Sequence, residues 1–422
     1  MAPTSALAGA RLRPDLVHLS DERRDDLLEI DQWAFAFADD GLDVAPALLG
    51  FEWDRTVGAE VDGRLVGVSS VYSPTMPVPG GEVPVAGLTW VGVHPQHRRR
   101  GVLRTLMAHH LESVRERGIE PVSALNAAEP AIYGRFGYGL ATRNMRLTLP
   151  RGAAFREVPG TDELAVRLEK ADPEKHASLV AVVFDGARSA RPGMVSRPSA
   201  GLQQKMLADP AHWREGGESL RVLVVEDDAG QPRGYALFRR KEHWTDAGPA
   251  GTVTVREMAA VDAASSAVVW SRLTDLDLMK TVQTDARPVD DPLVHQLVDV
   301  RAAEPRVSDG IWVRLVDVGA ALAARRYTRD VDVVLDVRDE LCPWNVRRWR
   351  LAGGPGGAVC EATSAAADLS LDVRAIGSAY LGGETLSALA SAGFVDELSI
   401  GALDVASAAF AWHVAPFCGW EF

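Results

Sequence analysis

Cysteine is scarce: three residues, Cys342, Cys360 and Cys418, in 422. They are too few and too far apart for a disulfide framework or a thiolate metal site, and this scarcity points to a cytoplasmic protein. Long apolar runs are missing too. No stretch approaches the roughly 18 uninterrupted apolar residues of a membrane span. The segment Met1–Ala10 is apolar but short and lacks a basic start, so it does not read as a signal peptide. Positive charge is in deficit, with 45 Lys and Arg against 58 Asp and Glu and a net charge of −13. That balance argues against nucleic acid as the main partner. It suits a cationic substrate better, because a negative field concentrates amines near the surface. His94, His97, His109 and His110 crowd together in sequence, but no pair has helical metal-site spacing together with a third ligand, so no metal is expected.

What is present is a well-cored globular chain, with 47% hydrophobic and 24% charged residues and a length suited to two or three domains. The first segment, 1–150, opens with a hairpin: Thr56 to Val61, the turn Asp62-Gly63, then Leu65 to Val68. A strand follows over Gly87–Val93 and ends at Pro95, which cannot donate to a ladder. Leu103, Leu106, Met107, His110, Leu111 and Val114 then form one helical stripe, and Gly118 is its stop. Pro121 to Leu125 reads as the next buried strand, which completes a β–α–β unit.

The second segment, 151–306, repeats this plan weakly. Its hairpin is Arg221 to Val225, the turn Asp228-Ala229-Gly230, and Gly234 to Phe238. A strand over Thr252–Met258 and a helix over Ala264–Leu278 follow. The arginine–glycine loop does not return; Ala263-Ala264-Ser265-Ser266 stands in its place. The third segment, 307–422, alternates strands such as Ile311–Arg314 and Val331–Val337 with short helices such as Leu386–Ala392. Gly353 to Gly357 reads as a turn, since no Lys-Ser or Lys-Thr follows it.

The chemistry concentrates at Arg98-Arg99-Arg100-Gly101. A helix N-terminus presents unpaired N–H groups and a partial positive charge to anions. Gly101 lets the backbone come close to a phosphate, and Arg98, Arg99, Arg100 and Arg104 add charge-assisted bonds. The loop directly follows a buried strand in an acidic protein, which sets it apart from an ordinary solvated basic face.

Val91-Gly92-Val93-x-Pro95-x-His97-Arg98-Arg99-Arg100-Gly101-Val102-Leu103-Arg104 resembles motif A of the GNAT acetyltransferases. Ile132-Tyr133-Gly134-Arg135-Phe136-Gly137-Tyr138 resembles their motif B. Across its whole length the chain resembles the Eis (enhanced intracellular survival) acetyltransferases, including the final Phe422. The resemblance implies an α/β (α+β) protein of two tandem GNAT folds with mixed sheets, the second degenerate, followed by a sterol-carrier-protein-like α/β domain. It implies acetyl-CoA as co-substrate, contacted by Val91, Gly92 and Val93, by Arg99, Arg100, Gly101, Val102, Leu103 and Arg104, and by Ala128 and Glu129. It implies Tyr133 as general acid and the carboxylate of Phe422 as general base. Aminoglycosides are the implied acceptors, a homohexamer the implied assembly, and antibiotic resistance the implied setting. Trp90 departs from the family, where a phenylalanine often precedes the Val-x-Val segment. Trp33 and Phe37 align too loosely to take roles. Two alternatives stand beside this reading: a lysine or peptide N-acetyltransferase, and a lipid- or sterol-binding module.

Overall fold

Asp62 and Gly63 carry the two positive φ angles, 52° and 72°, of a tight hairpin turn. They join the strand Val57–Val61 to the strand Arg64–Tyr72. The computed structural model describes residues 11–36 and 43–422, so Met1–Ala10 and Phe37 lie outside the described residues. Around this hairpin the first sheet runs in the order Asp15–His18, Val57–Val61, Arg64–Tyr72, Gly81–Val93, Val122–Asn126, Ile311–Leu315, Gly139–Leu140. Thr75–Val78 pairs off this path with Gly81–Val93. Gly81–Val93 and Val122–Asn126 run parallel, and a parallel pair needs a crossover. The helix Val102–Arg117 provides it, burying Val102, Leu106, Met107, His110, Leu111 and Val114 and ending on Gly118 at φ 64°. Leu103, expected on that stripe, is only partly buried and lines a cleft instead.

The second sheet repeats the plan. Its order is Ala165–Lys170, Arg221–Glu226, Pro232–Lys241, Gly251–Ala260, Met279–Thr284, Thr148–Pro150. Gly251–Ala260 again runs parallel to the strand beyond its crossover helix, Ala263–Thr274. That helix stops at Thr274, short of the expected Leu278, since Asp275 leaves the helical conformation (φ −98°, ψ 1°); the chain then turns at Leu278 (φ 66°) into the strand Met279–Thr284.

The third segment forms a five-stranded sheet ordered Gly357–Ala362, Arg347–Gly354, Val331–Arg338, Leu369–Asp372, Val395–Glu397. The glycine-rich stretch is the hairpin turn between the first two of these, with Gly354 opposite Gly357. The strand Ile311–Leu315 belongs elsewhere, between Val122–Asn126 and Gly139–Leu140 of the first sheet. Four of its five residues, Ile311, Val313, Arg314 and Leu315, are buried. A strand buried on both faces takes an interior position. The irregular segment after the helix Ala402–Phe410 threads between the units: Arg191 donates to the Ala415 carbonyl, Phe417 N–H to the Pro192 carbonyl, and Asn126 Nδ2 to the Trp420 carbonyl. Among the described residues, no helix is long and apolar enough to cross a membrane.

Candidate functional site

Strands Gly81–Val93 and Val122–Asn126 pair only from Val85↔Val122 to Gly87↔Ala124 and then part. Just beyond that point Val68 faces Gly92 while Ser70 faces Thr89, so Trp90 and Val91 together oppose Ser69. This is a β-bulge. Trp90 sits in it at φ 51°, a conformation few non-glycine residues adopt. The bulge takes backbone groups at Trp90 and Val91 out of the regular ladder.

A cleft of about 570 Å³ opens beside the bulge. Val91 and Val93 form one wall, His97, Arg98, Arg99 and the stretch Gly101 to Arg104 the floor, and Ala128, Glu129, Ile132, Tyr133, Arg135 and Phe136 the far wall. Gly101 is the N-cap of the helix at φ 97°, a region glycine enters without strain. Arg98, Arg99 and Arg104 line the cleft with it. Arg104 also pairs with Glu340 of the third segment at 3.3 Å, both side chains being largely exposed. His97 is held below the usual histidine range by burial, with Arg100 and His94 adding to the effect.

Of the residues singled out in the sequence, Val91, Val93, Arg99, Gly101, Val102, Leu103, Arg104, Ala128, Glu129 and Tyr133 meet in this one cleft. Gly92 does not, because a β-carbon there would meet Ala34 and Ile30 of the helix Arg24–Phe35. Arg100 is also outside the lining; its carbonyl accepts the Leu12 N–H at 2.8 Å. Arg11, Ala34 and Phe35 line the cleft without having been singled out. They lie on segments remote in sequence and carry no motif, so only the tertiary fold reveals them. Trp33 is more than half exposed and tilts against His94, with ring centroids 5.1 Å apart.

Tyr133 ends the short helix Pro130–Tyr133 and is half-buried. Burial pushes its phenol up to about 12, with Glu129 adding to the shift, so it keeps its proton through neutral pH. Phe422 approaches from elsewhere. Its ring lies 3.1 Å from where a Gly87 β-carbon would be, and 5.3 Å, centroid to centroid, from the Trp420 ring. Phe422 joins the apolar cluster that holds Tyr72, Val85 and Ala124, whereas Tyr133 joins the one that holds Ala86, Leu88 and Leu125. Because strand side chains alternate, these two sets lie on opposite faces of the sheet. Phe422, unlike Tyr133, is not among the residues that line the cleft.

Of the clustered histidines, His110 serves as packing. His110 is buried, bonded through Nε2 to Ser123 Oγ at 2.9 Å, and burial pushes it down to about 3. No group of three or more candidate metal ligands gathers among the described residues. In the second unit, the helix N-terminus equivalent to Gly101 is filled from within. The Asp262 carboxylate accepts both the Ser265 amide and hydroxyl at 2.7 Å, and Arg233 at 2.7 Å. A carboxylate therefore takes up one of the free N–H groups and meets the partial positive charge that would otherwise attract a phosphate.

Comparison with known proteins agrees with this fold. The acetyltransferase (GNAT) domain matches residues 16–141 and, through a second such family, residues 193–315; the sterol carrier protein domain matches residues 318–419. An uncharacterized N-acetyltransferase from Streptomyces avermitilis is 43% identical over 368 residues, covering 87% of this chain and 89% of that protein. N-acetyltransferase Eis of Mycobacterium tuberculosis is 35% identical over 372 residues, covering 86% and 88%. The crystal structure of Eis1 from Mycobacterium abscessus superposes with a TM-score of 0.82 at 34% identity, covering 97% of this chain and 100% of that one. The GNAT fold uses acetyl-CoA, and the present chain carries two copies of it followed by a sterol-carrier domain. The chain belongs to the Eis family of GNAT N-acetyltransferases.

Proposed function

We propose that the protein transfers the acetyl group of acetyl-CoA to amines of cationic small molecules, with aminoglycosides as the leading acceptor class and more than one amine modified per molecule. The observation that carries this reading is the single cleft joining a glycine-opened, arginine-lined helix N-terminus to the bulged strand and to Tyr133. Acetyl-CoA, when bound, supplies a thioester whose carbonyl carbon the acceptor amine attacks. Arg99, Arg104 and the N–H groups beyond Gly101 suit its phosphates. The bulge at Trp90–Val91 offers backbone N–H groups to the developing oxyanion. Tyr133, protonated at neutral pH, donates to the departing sulfur. The Phe422 carboxylate serves from the opposite face as base or amine anchor.

We read the chain as a catalytic unit over 1–150, a second unit without a cofactor site over 151–306, and a C-terminal unit over 307–422 that lends its first strand to the catalytic sheet. A cytoplasmic homohexamer is the assembly we infer from the family. The C-terminal unit serves as a scaffold in this reading. Leu335, Leu351, Leu371, Ile376 and Phe410 pack its interior together with the buried Arg325, which gives a lipid-carrying role no support.

The test is turnover of acetyl-CoA with a panel of aminoglycosides, polyamines and lysine peptides, followed by counting acetyl groups by mass. Acetylation of aminoglycosides at several amines is the expected result. Turnover confined to lysine peptides moves the assignment to the protein-acetylating alternative.

A further inference from the structure

Arg314 is wholly buried on the strand Ile311–Leu315, and the Asp339 side chain that it meets at 2.8 Å is 1% exposed. A buried ion pair adds little to stability compared with a well-packed apolar pair. The value of this one lies in where its directional bonds go. Arg314 Nε donates to the Phe136 carbonyl at 3.0 Å, Nη1 to the Leu315 carbonyl at 2.8 Å, and Nη2 to Asp339 and to Cys342 Sγ. Asp339 is fixed in turn by the amides of Leu341 and Cys342 and by Asn345 Nδ2.

Phe136 lies three residues beyond Tyr133, in a turn with little rigidity of its own. The helix Pro130–Tyr133 has four residues, far below the length that holds itself together. Within the turn, Gly137 N–H bonds the Gly134 carbonyl and Tyr138 N–H the Tyr133 carbonyl, the latter at 3.3 Å. Gly137 takes φ 83°, and a β-carbon there would stand 2.7 Å from Arg314 Nε, so the glycine makes room for the guanidinium. On its other side the turn meets Arg374, whose Nη1 would be 3.5 Å from a Gly134 β-carbon.

We propose that Arg314 is the positioning residue for Tyr133. Its guanidinium bolts the Tyr133–Gly137 turn to Asp339, so the C-terminal unit sets where the phenol stands across the cleft from Val91. This inference rests on Tyr133 being the proton donor.

The test is a double-mutant cycle of Arg314→Lys and Tyr133→Phe, with acetyl-CoA and whichever aminoglycoside, polyamine or lysine peptide turns over fastest. Arg314→Lys keeps the charge beside Asp339 but loses the fork that reaches Phe136. We expect it to lower kcat by 10- to 100-fold with acetyl-CoA KM changed less than threefold. In the Tyr133→Phe background the same change should lower kcat less than threefold further. Asp339→Asn, close in volume, is read in the same cycle should the lysine variant fail to fold. Equal losses in both backgrounds, or an undiminished kcat in Arg314→Lys, overturn the role of Arg314 while leaving a slow Tyr133→Phe intact. A wild-type rate in Tyr133→Phe alone overturns the proton-donor reading itself.

Discussion

The ring of Phe422 rests on Gly87, 3.1 Å from the place a β-carbon would occupy, at the last rung before the two parallel strands part. Trp420 flanks the ring, and Trp420 also tilts against Tyr72, with centroids 5.7 Å apart. Phe422 is therefore docked by packing, and the base role proposed for its carboxylate depends on that docking.

A short extension after Phe422 converts the carboxylate to an amide and moves the charge away. Deleting Phe422 withdraws it by one residue, roughly 3.3–3.6 Å of reach. Either change should lower turnover by about 10²–10⁴-fold, the range of lost acid–base catalysis. Acetyl-CoA affinity should hold, because the arginine loop lies on the other side of the sheet. Steady-state rates of the extended and native chains, with calorimetry for the cofactor, check this. A full rate in the extended enzyme would remove Phe422 from the chemistry.

The arginine run divides into unequal members. Arg99 lines the cleft, whereas Arg100 does not. Arg99→Ala should weaken acetyl-CoA binding by about 1.5–3 kcal/mol, the worth of a hydrogen bond to a charged group. Arg100→Ala should cost clearly less. Calorimetric titration of the two single variants separates them, and equal losses would mean that the whole run acts as one electrostatic patch.

How far the site was legible in sequence follows from which parts are local. Gly101 at a helix start, the strand before it and the Tyr133 turn are contiguous stretches with their own turn chemistry, so motif and periodicity expose them. The bulge was not legible, because Trp90 acquires its φ of 51° only through a register shift against Val68 and Ser70. Nor could local pattern place Ile311–Leu315 in the first sheet, since a buried apolar strand looks the same wherever it pairs. Arg314 shows the same blindness. An arginine within an apolar strand suggests an exposed face, yet it is buried because Asp339, 25 residues on, folds back to meet it.

The second unit offers an internal control. Asp262 occupies its helix N-terminus with bonds to Ser265 and Arg233. One acetyl-CoA should bind per chain, and Arg99→Ala should weaken that single event without revealing another. A stoichiometry near two by calorimetry would show that the Asp262 carboxylate gives way to phosphate.

Asp31 gives a pH dependence whose sign can be worked out. It sits on the buried side of the helix Arg24–Phe35, and burial pushes its carboxyl from 3.8 up to about 7. Between those two values the folded chain holds a proton that the unfolded chain has released. Stability therefore falls as pH rises through that window, and the loss is complete above about 7. At one pKa unit per 1.36 kcal/mol, the full effect is ~4 kcal/mol. Asp31→Asn cannot ionise, so it should be the more stable of the two at pH 8 and lose that advantage toward pH 4. Thermal scans of both proteins at pH 5 and pH 8 decide it: the gap in Tm should widen at the higher pH. Parallel pH profiles would mean that Asp31 is solvated in the native state and carries no such penalty.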